Sequence, residues 1–489
     1  MGAAGGFRVS GKLAQLKRAG FATLGSMETP CPECVKLRQR IAELEAKVER
    51  LTRLLEQSQR AGKRQAAPFS KGPPKPDPKT PGRKSGEEHG THGHRPPPPP
   101  ERIDQCLEAT LPDACPRCGS KDIREDDVAV QYQTEIPRRP LIRQFNIHRG
   151  QCRCCGEKLQ GRHSLQTSNA LGAAASQLGP DAQAAIVQLN KESGLSHGKV
   201  QRVLQSLFGI VLSRGASAQV VLRAADRLRP AYDDIQARLK AEPIVTPDET
   251  GWRIGGRPVW LHGWVGVDGV TCYHIDPQRS SEALQKVLGA DWSGTLVHDG
   301  WSSYDAAFED ACHQQCQAHV LRRAHDMEEA AVGRAKLFPR QVISLFQESL
   351  ALRDQWAAAP PQDQPDEADR ARAFESFTDR LHHLTARPRA DAANETLAKH
   401  LHHHGGSWFV FLLDPQVPAT NWMGEQAIRP AVVNRKVWGG NRTDSGAEAQ
   451  SITMSVLETC KRQALDALTY VSQTLRGLRS TLFQPLNAK

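Results

Sequence analysis

Apolar residues first become periodic at Leu37, Ile41, Leu44, Val48, Leu51 and Leu55, with Glu, Lys and Arg filling the positions between them. Alternating steps of four and three place these residues along one seam of a helix. The chain that follows offers nothing for the seam to pack against, so the spacing predicts a short coiled coil and self-association through it. A solvent-facing helix resting on its own domain is the competing reading. From Ala61 to Pro100 the periodicity stops, and Pro, Gly, Lys and His dominate up to the run Pro96–Pro100; such a tract buries no apolar face and reads as an extended linker.

Strand character appears around Val128–Ile136 and Leu141–Ile147. From Asp181 to Leu228 the pattern turns helical, with a break at Ser193-Gly194-Leu195-Ser196 followed by Val200, Val203, Leu204 and Leu207. Two helices joined by a glycine turn make a helix-turn-helix, or ordinary scaffold. The period shortens to two from Ile244: Ile244–Asp248 with Trp252–Ile254, then Val259–Val267 and Val270–Ile275, separated by the turns Gly255-Gly256 and Asp268-Gly269, predict a three-stranded antiparallel meander. A helix at Ser281–Leu288 and a short strand at Thr295–Asp299 follow. Strand, strand, strand, helix, strand is the order of a ribonuclease-H-like sheet, which sets Asp248 on the first strand beside Asp299 at the end of the fourth. Met327–Gly406 reads as a long helical stretch broken at Ala357–Asp366, and Leu465–Leu482 as one more amphipathic helix.

Two Cys-x-x-Cys knuckles, Cys115–Cys118 and Cys152–Cys155, flank the segment of strand character. Each knuckle bends the backbone so that both sulfurs face one ion, and four thiolates suit a closed, structural zinc site. Cys154 competes with Cys152 and Cys155 for the last positions. The 12 cysteines are clustered, which in a reducing compartment points to metal and not to disulfides. Cys31 and Cys34 form a third, isolated pair.

The 489 residues, 39% of them hydrophobic, exceed what one core supports. The predicted fold class is multidomain α+β. Residues 1–30 are unpatterned, with Met27 as the biological start; 31–60 form the coiled-coil helix, 61–105 the Pro-rich basic linker, 106–165 the zinc-binding domain and 166–238 the helix-turn-helix domain. The catalytic domain begins at 239–330, is interrupted by a helical insertion at 331–410 and resumes at 411–489. Lys and Arg total 64 against 54 Asp and Glu, a formal charge of +10 that makes nucleic acid a plausible partner. No stretch approaches the roughly 20 apolar residues of a membrane span, and the N-terminus lacks the apolar core of a secretory signal, so no membrane partner and a bacterial cytoplasmic, nucleoid-associated location are expected.

Carboxylates are the oxygen ligands that magnesium prefers, and two divalent ions held by them overcome the resistance of a phosphodiester to attack. Asp248 and Asp299 supply two. Glu425, in Asn421-Trp-Met-Gly-Glu425-Gln-Ala-Ile-Arg429-Pro430, opens a helical segment followed by Arg429, Arg435, Lys436 and Arg442, surroundings that favour a phosphate backbone. Glu249 adjoins Asp248, but consecutive strand positions face opposite ways, so one of the two joins the site and Asp248 is the choice.

The stretch Pro247-Asp-Glu-Thr-Gly-Trp252, the block His298-Asp-Gly-Trp-Ser-Ser-Tyr304, the motif Cys316-Gln-Ala-His319-Val-Leu-Arg322-Arg323, the Glu425 block and Asn434-Arg-Lys-Val-Trp-Gly-Gly-Asn441 with Ser445-Gly446 resemble the transposases of the insertion sequence 66 family. The heptad helix, knuckles and helix-turn-helix follow the same order, so the likeness covers nearly all of the chain from Met27. It implies cleavage and strand transfer at the ends of a mobile element, dependent on magnesium or manganese, with Asp248, Asp299 and Glu425 as the catalytic acids. Element-end and target DNA, a homo-oligomer and accessory proteins of the same element are the implied partners. The chain departs from the family at Trp422, where a second Asn is usual, at Gly424, often Ala, and at Gln426, often Arg.

Cys316 and His319 read as packing and hydrogen-bonding residues before a metal pair, Arg322 and Arg323 as contacts to DNA or to site acids, and His402–His404 as surface. Two other functions stay open: a catalytically silent DNA-binding protein derived from a transposase, and a metal-dependent nuclease without strand transfer.

Overall fold

The computed structural model describes residues 40–48, 50–51, 96–478 and 482. Residues 40–48 and 50–51 are helical (α1), and Ile41, Leu44, Val48 and Leu51 of the heptad seam are all more than half exposed. Leu37, Leu55, Cys31, Cys34 and residues 61–95 of the linker lie outside the described residues.

No strand forms at Val128–Ile136 or Leu141–Ile147. Val128, Val130, Ile136, Leu141 and Ile142 are exposed; β-branched residues favour extended backbone, but without a partner edge that preference makes no ladder. The pairing instead joins β1 (Arg149–Gln151) to β2 (Lys158–Gln160), antiparallel, around the second knuckle.

Three helices follow: α2 (Pro180–Lys191), α3 (His197–Phe208) and α4 (Arg214–Lys240). Gly194, with φ of 68°, makes the turn between α2 and α3. Sequence periodicity ended the helical region at Leu228, yet α4 runs through Pro230 to Lys240. Leu228, Tyr232, Ile235 and Leu239 continue the buried stripe across the proline, so packing outweighs the lost backbone bond.

A five-stranded sheet positions the site. Its strands are β3 (Ile244–Ile254), β4 (Arg257–Gly266), β5 (Thr271–Asp276), β6 (Thr295–His298) and β7 (Cys312–Gln315), in the order β5-β4-β3-β6-β7. The first three are antiparallel and the last two parallel, with α5 (Ser281–Leu288) crossing from β5 to β6. β3 to β6 and α5 lie where the sequence predicted them, whereas β7 carried no strand signal in the sequence. Pro247 is tolerated inside β3 because β6 pairs with β3 at Ile244 and Val245, before the proline is reached.

One apolar cluster joins α2, α3 and α4 to Val245, Trp264 and Leu296 of the sheet and to α12 (Asp444–Arg462). A second joins Ile244 and Val297 to α7 (Gln317–Ala330) and to the helices of the predicted insertion, α8 (Leu337–Ala358), α9 (Glu367–Thr385) and α10 (Ala392–His404). A short α6 (Ser302–Ala307) follows β6, α11 (Trp422–Trp438) precedes α12, and α13 (Ala467–Leu475) ends before the Leu482 that periodicity suggested.

Lys191 at the end of α2 is fully buried. Its ammonium donates to Gln450 Oε1 and lies 5.0 Å from the Trp438 ring centroid. Burial lowers its pKa from 10.5 to about 7. The native state therefore releases a proton between pH 7 and 10.5 that the unfolded chain keeps, so this lysine's contribution to stability improves as pH rises through that window. Urea denaturation is expected to show stability climbing by about 3–4 kcal/mol from pH 7 to 10, with the climb absent from Lys191→Met.

Candidate active site

Parallel pairing of β3 and β6 sets Ile244 opposite Thr295 and Val245 opposite Leu296. The observed pairing ends there, but its direction carries Asp248 towards Asp299, the residue that follows β6, and the charge of Asp299 acts on Asp248. Asp248 Oδ1 accepts from the Glu249 N–H at 2.9 Å, and Asp299 Oδ1 from the Trp301 N–H at 3.1 Å. Glu249 is engaged elsewhere. Arg279 Nε donates to its Oε1 at 3.1 Å and the Tyr304 hydroxyl to its Oε2 at 2.6 Å, while the Arg279 guanidinium stacks between the rings of Trp260 and Trp301, 4.7 and 4.1 Å from their centroids. Adjacent strand residues thus serve different partners, as the pleat requires.

Glu425 stands in the first turn of α11. The start of that helix is tied to the motif that follows β7: the Asn421 N–H donates to Cys316 Sγ at 3.3 Å, and the Gln317 N–H to Ala419 O at 3.0 Å. Cys316 N–H in turn donates to His298 O at 2.8 Å, next to Asp299. His319 Nε2 lies 3.5 Å from Glu425 Oε1. The Cys316–His319 motif therefore links the second acid to the third. Tyr273 OH donates to Ala427 O at 2.5 Å, holding α11 against the sheet.

Gly424 makes that approach possible. A Cβ there would lie 2.9 Å from Pro247 O and 3.1 Å from Thr246 O, both backbone atoms immediately before Asp248. Trp422, by contrast, is 61% exposed.

Burial is the main reason that the Asp248 pKa rises from 3.8 to about 7; the charges of Glu249, Asp299 and Glu425 add to it. Like charges gathered in a half-buried place, all with hard oxygen donors, fit a divalent cation such as magnesium.

Of the basic residues, Arg322, Arg429, Lys436 and Arg442 are exposed and Arg323 is half-buried. Arg435 is engaged within the fold: its Nη1 donates to Thr250 Oγ1 at 2.9 Å and also to Gly251 O, fastening α11 to β3. Trp252 Nε1 donates to Asn441 Oδ1 at 2.7 Å, and the Asn441 N–H to Arg253 O at 2.9 Å, closing the same edge.

The two knuckles share one backbone design. Cys115 O accepts from Gly119 N–H at 2.8 Å and Cys152 O from Gly156 N–H at 2.9 Å, with both glycines at positive φ, 73° and 76°. Backbone N–H groups of Cys118 and Arg117 lower the Cys115 pKa, and those of Cys155 and Cys154 lower that of Cys152. The equivalence sets Cys152 against Cys115 and Cys155 against Cys118. Neither the four sulfurs nor the carboxylate oxygens of Asp248, Asp299 and Glu425 all lie within 4.8 Å of one another: among the described residues that holds for the ligand atoms of His298, Asp305 and His313. Sequence reasoning missed that group, because its members come from β6, α6 and β7 at no motif spacing. His402 and His403 are exposed as expected, but His404 is half-buried and packs on Trp408, 5.9 Å between centroids.

Adding one methyl at Gly424 forces α11 away from β3. Gly424→Ala is expected to lower stability by about 1–2 kcal/mol, whereas Trp422→Asn leaves it within about 0.5 kcal/mol, both by urea denaturation. For Asp248, a raised folded pKa means that the native state keeps a proton between pH 3.8 and 7 that the unfolded state has lost, so stability falls as pH rises through that window. The full shift corresponds to about 4 kcal/mol, and solvent access at the site reduces it to about 2. Metal-free Asp248→Asn at pH 8 is expected to melt above the wild type, and magnesium to raise the melting temperature of the wild type more than that of the variant.

A family model described as transposase IS66 family matches residues 175–449, from the turn before α2 into α12. The uncharacterized protein y4qI of Sinorhizobium fredii is 23% identical over 294 residues, 55% of this chain and 53% of that protein. The chain thus spans about half the length of the curated relative it matches. With the matched region taking in the five-stranded sheet, the helical insertion and all three acids, the chain belongs to the IS66 family of transposases.

Proposed function

We propose that this protein is a DDE transposase with a ribonuclease-H-like catalytic domain, which cleaves DNA at the ends of an insertion sequence and joins those ends to target DNA by in-line transesterification. The observation that carries the reading is the convergence of Asp248 from β3, Asp299 from the end of β6 and Glu425 from α11, close enough that the second and third raise the pKa of the first. The three acids would hold two magnesium or manganese ions. When bound, such a pair would supply activation of the attacking oxygen and stabilisation of the leaving one.

The chain's own residues bind and orient. Glu249, Arg279 and Tyr304 fix the backbone on which Asp248 stands, and Cys316 and His319 bring Glu425 to the pair. Arg322, Arg323, Arg429, Lys436 and Arg442 offer cations to the phosphates of bound DNA, and Arg435 holds the edge from which its neighbours project. In the α2–α3 pair, Lys199 and Arg202 are exposed on the face of α3 opposite buried Val200 and Leu204, which supports DNA reading by this helix-turn-helix. The exposed seam of α1 supports pairing with a second copy, and the matched knuckles support zinc held by Cys115, Cys118, Cys152 and Cys155. No helix among the described residues is long and apolar enough to cross a membrane.

Purified protein with magnesium and labelled element ends tests the reading. Asp248→Asn, Asp299→Asn and Glu425→Gln are each expected to reduce cleavage to background while retaining mobility-shift binding of the same DNA within a few-fold. Full cleavage by Asp299→Asn would sink the assignment, and cleavage without joining would identify a nuclease.

A further inference from the structure

A second set of potential ligands lies behind the second acid. His298, the last residue of β6, is fully buried; Asp305 comes from α6 and His313 from β7. His298 Nε2 is 3.0 Å from His313 Nδ1 and 3.8 Å from Asp305 Oδ1, and His313 Nδ1 is 3.5 Å from the same oxygen. Ligand atoms at 2.0–2.1 Å from a tetrahedral zinc ion sit roughly 3.3 Å from one another. The three observed separations bracket that edge, and a point about 2.0 Å from all three atoms, an ordinary zinc–ligand distance, lies at the centre of the triangle.

The surroundings match a metal site in a further respect. His313 Nε2 donates to Phe308 O at 2.9 Å, the backbone contact that fixes a ligating imidazole with its lone pair on the other nitrogen. Gln315 places its amide 3.4 Å from His298 Nε2, and its Oε1 is buried without a partner. His400 and His404 stand behind the group: a Cβ at Gly300 would lie 3.4 Å from the His400 ring, and the His404 ring is 5.0 Å from that of His400.

We propose that His298, His313 and Asp305 bind one divalent transition-metal ion, zinc by ligand type, at a site separate from the carboxylates Asp248, Asp299 and Glu425. Two imidazoles and one carboxylate suit zinc better than magnesium. Without the ion, Gly300 N–H donates to His298 Nδ1 at 3.2 Å, so the His298 proton is on Nε2, aimed at His313. Ion binding moves that proton to Nδ1 and gives up the Gly300 bond. The ion would then pin β6, α6 and β7 together around the turn that carries Asp299.

Zinc titration of the full chain tests this in a background with Cys31, Cys34, Cys115, Cys118, Cys152, Cys154 and Cys155 each changed to Ser, which removes all three Cys-x-x-Cys pairs. One tight equivalent per chain is expected, lost in His313→Gln and weakened about 10- to 100-fold in Asp305→Asn, with an unchanged equivalent in Asp248→Asn. Equal uptake by the background protein and a folded His313→Gln would overturn the site and leave a plain histidine–histidine hydrogen bond. Should His313→Gln fail to fold, X-ray absorption of the zinc-loaded background protein decides: scattering from two imidazoles supports the site, and a shell of oxygen alone refutes it.

Discussion

Three carboxylates at one end of a sheet repel, and in the absence of a cation nothing about them favours their meeting. The Asp248 pKa of about 7 records its burial first, with the neighbouring carboxylates adding to it. What resists the repulsion is a set of ties made by neighbouring residues: Arg279 and Tyr304 on Glu249, Cys316 on Asn421, Arg435 on Thr250, and Tyr273 on Ala427. Each is a modest contribution alone, on the order of 1 kcal/mol for a neutral hydrogen bond and somewhat more with a charged partner. Together they hold a geometry that the acids on their own would relax.

These ties separate what the sequence made legible from what it did not. Asp248 and Asp299 were placed from periodicity because strand alternation and the parallel register are local rules that need only the residues between them. Glu425 was reached through family likeness, since its approach depends on Cys316, Gln317 and Ala419 across the whole helical insertion, and no periodicity encodes a contact of that span. The strands expected at Val128–Ile136 and Leu141–Ile147 failed for the opposite reason: local propensity was present and a partner edge was absent. At Pro230 the local rule forbade what the buried face of α4 supplied. His298, Asp305 and His313 left no signal, being brought together by three elements of the sheet and its connecting helix.

The helices between β7 and α11 form a long detour in the chain. Its helices have their own core around Phe346, Leu381 and Phe409, and that core reaches the sheet through Ile244 of β3 and Val297 of β6. The chain leaves after β7 and returns at Asn421, and the two points of departure and return bond directly to each other. The detour is closed at its neck.

The turn between α2 and α3 rests on the helix that bears Glu425. Gly194 has no room for a Cβ beside Asn434 Oδ1, 2.8 Å away, and the amide of Asn434 donates to Lys191 O at 2.9 Å while Lys191 reaches Gln450. For evolution, this makes the helical pair a poor unit of exchange. A recombination event that swapped α2 and α3 for those of a distant relative would leave Asn434, Trp438 and Gln450 facing the wrong surface. Substitutions in this pair should therefore collect on the outer side of α3, with the inner side travelling together with α11 and α12 through descent.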